Sequence, residues 1–231
     1  MISTSETVAH RPLPPNRAAG VALAASGATF FTAEFVAAAA WTDPPYSYTH
    51  HFISNLGVHG PTTAFGQFMY SPLAWVMNTG FVLFGLWVAV GALLLKGLPG
   101  RLRVPVVVLA VLLAAGGVVL GFFPGSGEVT DSTDFHGLGA FLAFFSGNVL
   151  VVLLGRAHRV LGVSRGVGRG LVVAGIAGLV AIPAYLGLLA SGAGILIGLV
   201  ERGIVYPFLI SLVVLGTALR RTRVPAPVRA R

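Results

Sequence analysis

The chain predicts an all-α fold, a polytopic transmembrane bundle of six helices with both termini in the cytoplasm, on three observations. The composition is 55% hydrophobic and only 10% charged over 231 residues, with a mean hydropathy of +0.87, too apolar for a water-soluble fold to cover its own surface. Six segments reach about the 20 residues needed to cross a hydrocarbon core of roughly 30 Å. Every Lys and Arg except Arg202 falls before the first segment, after the last, or in every second connection. Cation-rich connections resist translocation, so these segments share the cytoplasmic side. The net charge of +8 therefore sits in short connections and tails beside apolar spans, where the lipid bilayer is the partner and nucleic acid is not. The absence of cysteine excludes disulfides, thiolate metal sites, iron-sulfur clusters and a cysteine nucleophile.

Residues 1–17, with Pro12, Pro14 and Pro15, read as a disordered cytoplasmic arm. The first span covers 18–41. It exceeds a signal-peptide core of about 7 to 15 residues and contains Glu34, so it reads as a retained membrane helix. Gly20, Ala24 and Gly27 lie at helical spacing and permit close backbone approach, which places this helix among the others. The second span covers 71–95 and the third 104–123. The fourth, 136–154, repeats the small-residue pattern with Gly137, Gly139, Ala140 and Gly147. Asn78 and Asn148, in the second and fourth spans, read as inter-helix hydrogen bonds. The fifth span, 171–189, carries Pro183, which frees a carbonyl that must find a partner inside the bundle. A helix break at 191–194 leads to the sixth span, 195–219. The transmembrane domain is thus 18–219, followed by a basic cytoplasmic tail, 220–231.

The acids and histidines partition away from the arginines. Asp43, His50, His51, His59, Glu128, Asp131, Asp134, His136 and Glu201 gather at the extracytoplasmic side, with Glu34 just inside it. In the first outer loop, Pro44 and Pro45 set an extended start and Gly57 offers a helix stop, so the spacing predicts a short interfacial helix over 48–56. On it, His51 lies one turn from Ser54 and Asn55, and His50 one turn from Ser54. In the second outer loop Asp131 or Ser132 is a natural N-cap, and Asp134 complements the dipole of the fourth helix. Capping does not account for His136. Glu201 and Arg202 lie about two turns into the sixth span, roughly 9 Å deep by helical rise. Charges at that depth pair or line a wet cavity, and Glu34, Asp131 and Asp134 are the partners open to Arg202.

The run His50-His51-Phe52-Ile53-Ser54-Asn55-Leu56-Gly57, the segment Phe122-Phe123-Pro124 followed by His136-Gly137-Leu138-Gly139-Ala140 and Gly147-Asn148, and Glu201-Arg202-Gly203-Ile204-Val205-Tyr206-Pro207 together resemble the family called domain of unknown function 998. The resemblance covers nearly all of the membrane region. It implies a six-helix integral membrane protein of prokaryotic type, and it implies no catalytic residues.

Three functional readings stand open on these residues. In one, His50, His51, Ser54, Asn55, Asp134, His136, Glu201 and Arg202 form a polar pocket for a lipid or small amphipathic molecule, Arg202 open to an anion and Glu201 to a cation. In another, His51, His136 and Asp134 hold a divalent metal such as zinc that activates water in an intramembrane hydrolase, without any HExxH spacing to support it. In the last, the cluster is scaffolding for membrane partners. Haem is disfavoured because the candidate histidines sit at one rim, and Ser54 lacks a nucleophile-elbow context.

Overall fold

The computed structural model describes residues 16–64, 66–125, 135–192, 194 and 196–221. The expected terminal arm up to residue 15, the tail from 222, and the expected roles of Glu128, Asp131, Ser132 and Asp134 lie outside the described residues. Six helices form the body: α1 Arg17–Ala40, α2 Ala74–Leu94, α3 Gly100–Phe122, α4 Phe135–Arg156, α5 Arg165–Ser191 and α6 Ile197–Arg221. All six are long and apolar enough to cross a membrane.

α4 and α5 outrun the apolar windows that predict them at both ends, because backbone hydrogen bonding continues where the chain meets polar surroundings, whereas α2 falls inside its window. The clearest case is α5, which starts six residues earlier than expected. Ser164 caps it by accepting from the Val167 N–H at 3.2 Å, and Arg165 and Arg169 fill its first turns. At its other end Gly192, with φ of 65°, closes the helix where a break is expected.

Each helix packs on the next in sequence, and α6 closes the ring on α1; α4 also reaches across to α6. Successive neighbours are therefore antiparallel, and the start of α1 lies beside the end of α6. There the backbones nearly touch: a Cβ on Gly20 would stand 2.6 Å from the Gly216 carbonyl oxygen. The same device recurs at Gly116 against Gly139 and at Gly155 against Gly168. With lipid outside, helix association rests on close packing of small residues, while Val and Leu face outward, as Val104, Val173 and Val180 do at 65%, 67% and 66% exposure. Asn148 donates to the Phe144 carbonyl and, at 3.1 Å, to the Ile204 carbonyl, joining α4 to α6 as expected. Asn78 instead donates to the Gly57 carbonyl at 2.9 Å, tying α2 to a loop and not to another helix.

One end of the ring carries the start of α1, the α2–α3 and α4–α5 connections and the end of α6, hence every described Lys and Arg except Arg202. The other end is capped by the long connection 41–73, which folds inward as a plug. Trp41, Ile53, Leu56, Val58 and Met69 of this segment belong to the core.

The expected interfacial helix over 48–56 is not formed. Only a 3-10 turn, Ser54–Gly57, appears, followed by a hairpin of β1 Thr62–Ala64 and β2 Gln67–Met69 that sequence periodicity did not suggest. The physical reason lies in where the backbone groups go. The Thr49 carbonyl accepts from the Leu199 N–H, the Tyr48 and His51 carbonyls accept from Arg202, and the Ile53 N–H donates to Glu201. Groups committed to the start of α6 cannot close helical turns of their own. Gln67, on β2, holds the loop from the other side by accepting from Asn55 Nδ2 at 2.6 Å and donating to the His50 carbonyl.

Candidate functional site

Two arrangements meet beneath this plug, carried by adjacent residues of α6, Glu201 and Arg202. The first is an ion pair. Arg202 Nη2 and Glu34 Oε1 stand 2.9 Å apart, with Nε of the same guanidinium at 3.1 Å and the Tyr206 hydroxyl donating to the same oxygen at 3.0 Å. Ring closure of α6 onto α1 selects Glu34 from the candidate partners. The remaining donors of Arg202 go to the Tyr48, His51 and Gly198 carbonyls from Nη1 and to Tyr46 Oη from Nη2. Its guanidinium also lies 4.9 Å from the Tyr48 ring centroid and 5.6 Å from that of Tyr46. All five N–H groups are thus engaged within the protein. The expectation that Arg202 is open to an anion is corrected by this saturation: it is a staple fastening the loop to α6.

Tyr46 serves the staple as a neutral phenol, accepting from Arg202 and donating to the Phe52 carbonyl at 3.0 Å. Burial is the largest influence on it and holds its hydroxyl far above the ordinary range, against the opposing pull of Arg202. Burial likewise raises Tyr48, with Glu34 adding to the effect.

The second arrangement is a cavity of about 320 Å³ on the inner side of the ring. Its walls are apolar and largely aromatic, including Phe81, Phe84, Phe144, Tyr185 and Phe208. Its polar lining is concentrated at the loop-capped end, where Ser54, Asn55, His136 and Glu201 converge. Glu201 is buried and its Oε2 accepts from the Ile53 N–H at 2.5 Å, which anchors the carboxylate at the cavity edge. Neighbouring Arg202 faces α1 and the loop instead, because consecutive helical positions lie about 100° apart. A separate open concavity of about 900 Å³ runs along the outside of α5 and α6, lined mostly by small and aliphatic side chains such as Gly170, Ala174 and Gly203.

The expected site residues divide among these places. Ser54, Asn55, His136 and Glu201 share the cavity. His51 stands apart from it, stacked on Trp41 with centroids 5.2 Å apart and tilted against Tyr46. Its Nδ1 accepts from the Ser47 N–H at 2.9 Å, so this ring is neutral and structurally committed. Burial lowers its pKa, with His50 and Arg202 acting in the same direction. His50 is exposed, its Nδ1 3.1 Å from Ser47 Oγ. His136 Nδ1 lies 2.8 Å from the Phe123 carbonyl oxygen at the mouth of α4. Asp134 lies outside the described residues. Among the described residues no three His, Asp or Glu side chains meet as a zinc shell requires, so His51 and His136 do not form part of one there.

Tyr46, Tyr48, Tyr206 and Gln67 escape sequence reasoning. Tyr206 alone leaves a trace, one helical turn beyond Arg202 and hence on the same face. Tyr46, Tyr48 and Gln67 reach the site only through the folding of the loop.

No curated protein and no solved structure matches the chain. A family model described as Protein of unknown function (DUF998) matches residues 23–218, a stretch that begins within α1, ends within α6 and contains the ion pair, the plug and the cavity. The match spans most of the chain and coincides with six helices able to cross a membrane, and the protein therefore belongs to the DUF998 family.

Proposed function

We propose that this protein sits in the cell membrane with both termini in the cytoplasm and binds a lipid or small amphipathic molecule in the cavity beneath its extracytoplasmic plug. The observation that carries the binding role is the division of the cavity into an aromatic body and one polar end formed by Ser54, Asn55, His136 and Glu201. An amphiphile has the same division. Apolar walls with a few convergent polar groups are the usual make-up of a small-molecule site. The orientation is supported by the collection of arginines at the opposite end.

Binding is tested with radiolabelled tetradecanol and full-length protein in lipid nanodiscs, counted against empty discs. Saturable uptake is expected, and Ala140→Phe, which fills the cavity from a partly buried wall position, is expected to reduce it at least tenfold. Uptake no greater than in empty discs would refute the binding role. Orientation is tested separately, since the chain has no cysteine. A single cysteine at the exposed His59 should react with an impermeant maleimide on intact cells, and one at the exposed Arg159 should not. The reverse pattern would invert the assignment.

A further inference from the structure

We propose that the occupant of this cavity is a single-chain cationic amphiphile, an alkylammonium, which comes sideways out of the bilayer between α4 and α5 and seats its charged head against Glu201. This rests on the binding role proposed above and adds the class of ligand and its route.

The charge of the head follows from counting groups. Two carboxylates, Glu34 and Glu201, stand beside one guanidinium among the described residues, and the salt bridge joins that guanidinium to Glu34. A second buried carboxylate is tolerated only with a proton or a compensating positive charge, because burial takes it out of bulk solvent, and an ammonium head supplies that charge. The loop occupies one side of Glu201, through the Ile53 N–H, while the cavity lies on the other. That is the direction from which a cation reaches it. An ammonium also supplies several donors for the acceptor oxygens of Ser54 and Asn55 at the same end.

The route follows from which wall residues are exposed. Cavity-lining side chains on α1, α2, α3 and α6, such as Phe30, Phe84, Leu120 and Val205, are buried. On α4 and α5 some are exposed: Ala143 and Phe144 are buried, but Phe141 is 52% exposed and Leu186 49%, although both line the cavity. A side chain that faces both the cavity and the outside stands at a mouth. The two helices are locked farther along, where a Cβ on Gly155 would stand 2.6 Å from the Gly168 carbonyl oxygen and one on Gly175 2.6 Å from that of Asn148. Beyond that point the contact passes to large side chains, Phe144 edge-on to Tyr185 with centroids 5.7 Å apart. Phe141 lies six residues inside α4 and Leu186 five from the end of α5, roughly 8 to 9 Å below the helix ends by helical rise, so the mouth faces lipid and not water. A volume of about 320 Å³ stands at the bottom of the range of about 300 to 1,000 Å³ for small-molecule sites, which suits one chain with a compact head and excludes a two-chain phospholipid.

The test compares tetradecylamine, tetradecanol and tetradecanoate, which share a chain and differ at the head, as competitors of radiolabelled tetradecanol on the full-length protein in nanodiscs of neutral lipid. Tetradecylamine is expected to bind at least tenfold more tightly than tetradecanol, and tetradecanoate most weakly. Glu201→Gln, whose amide oxygen still accepts from the Ile53 N–H, is expected to bring the amine to the level of the alcohol. A tetradecylamine analogue with a diazirine at its tail is expected to label α4 and α5 around Phe141 and Leu186. Equal affinity for amine and alcohol in the unaltered protein would overturn the cationic head, and that comparison needs no variant. Labelling confined to the outer concavity of α5 and α6, near Ile210 and Val214, would overturn the lateral route. If tetradecanol itself fails to bind, the binding role falls instead, so the two failures are told apart.

Discussion

Replacing Arg202 by methionine keeps much of the side-chain volume and removes the charge. The substitution leaves Glu34 Oε1 with Tyr206 as its remaining donor and takes the guanidinium from the Tyr48 and His51 carbonyls. Glu34 is fully buried and its Oε2 has no hydrogen-bond partner among the described residues, so the uncompensated carboxylate is cut off from bulk solvent. Removing one member of a buried pair costs about 3 to 5 kcal/mol. At roughly 2 to 4 °C per kcal/mol for a chain of this size, the melting temperature should fall by about 6 to 20 °C. Tryptophan fluorescence during heating is a suitable assay, since buried Trp41 stacks on His51 within the plug that Arg202 fastens. In the double variant Glu34→Gln with Arg202→Met the buried charge is gone with its partner, and a coupling of about 0.5 to 3 kcal/mol should be recovered. A single variant that melts with the native protein, or a double variant whose losses simply add, would refute the staple.

Three further outcomes are expected. A methyl group on Gly178 collides with the Asn148 amide, so Gly178→Ala should cost about 1 to 3 kcal/mol in thermal unfolding, whereas Gly187→Ala, in open space on the same helix, should cost none. Gly198→Ala drives a Cβ into the His51 carbonyl, and limited proteolysis should then cut within 41–73 faster than in the native protein; equal rates would refute the seating of the plug on α6. The pKa of His51 is lowered in the folded protein, so the unfolded chain takes up the proton first. Stability should be full above pH 6.5 and decline as pH falls toward the folded-state value, a dependence that His51→Phe should blunt in melting curves from pH 8 to pH 5.

Particular residues show how far the chain could be read directly. The six helices and the pairing of Arg202 with a carboxylate were legible, the latter because a charge two turns inside an apolar span has few tolerable fates. That its partner is Glu34 required knowing that α6 packs on α1. Residues 48–56 carry helical spacing and yet fold otherwise, since the Tyr48, Thr49 and His51 carbonyls and the Ile53 N–H are taken by α6. His51 has the residue type of a ligand and the surroundings of an aromatic box. Nothing local distinguishes those two situations.

Hydropathy and arginine spacing settled the number of spans and the sorting of charges between two ends, because transfer into hydrocarbon depends on each segment's own composition. Ring order, the choice of Glu34 over other acids, and the cavity that gathers Ser54, Asn55, His136 and Glu201 belong to tertiary structure alone. Lipid offers no polar partner for a buried group, so such groups must find one another across helices. Which helices approach closely enough is decided by the fit of small residues such as Gly20 against Gly216, a property of two surfaces together and of neither segment by itself.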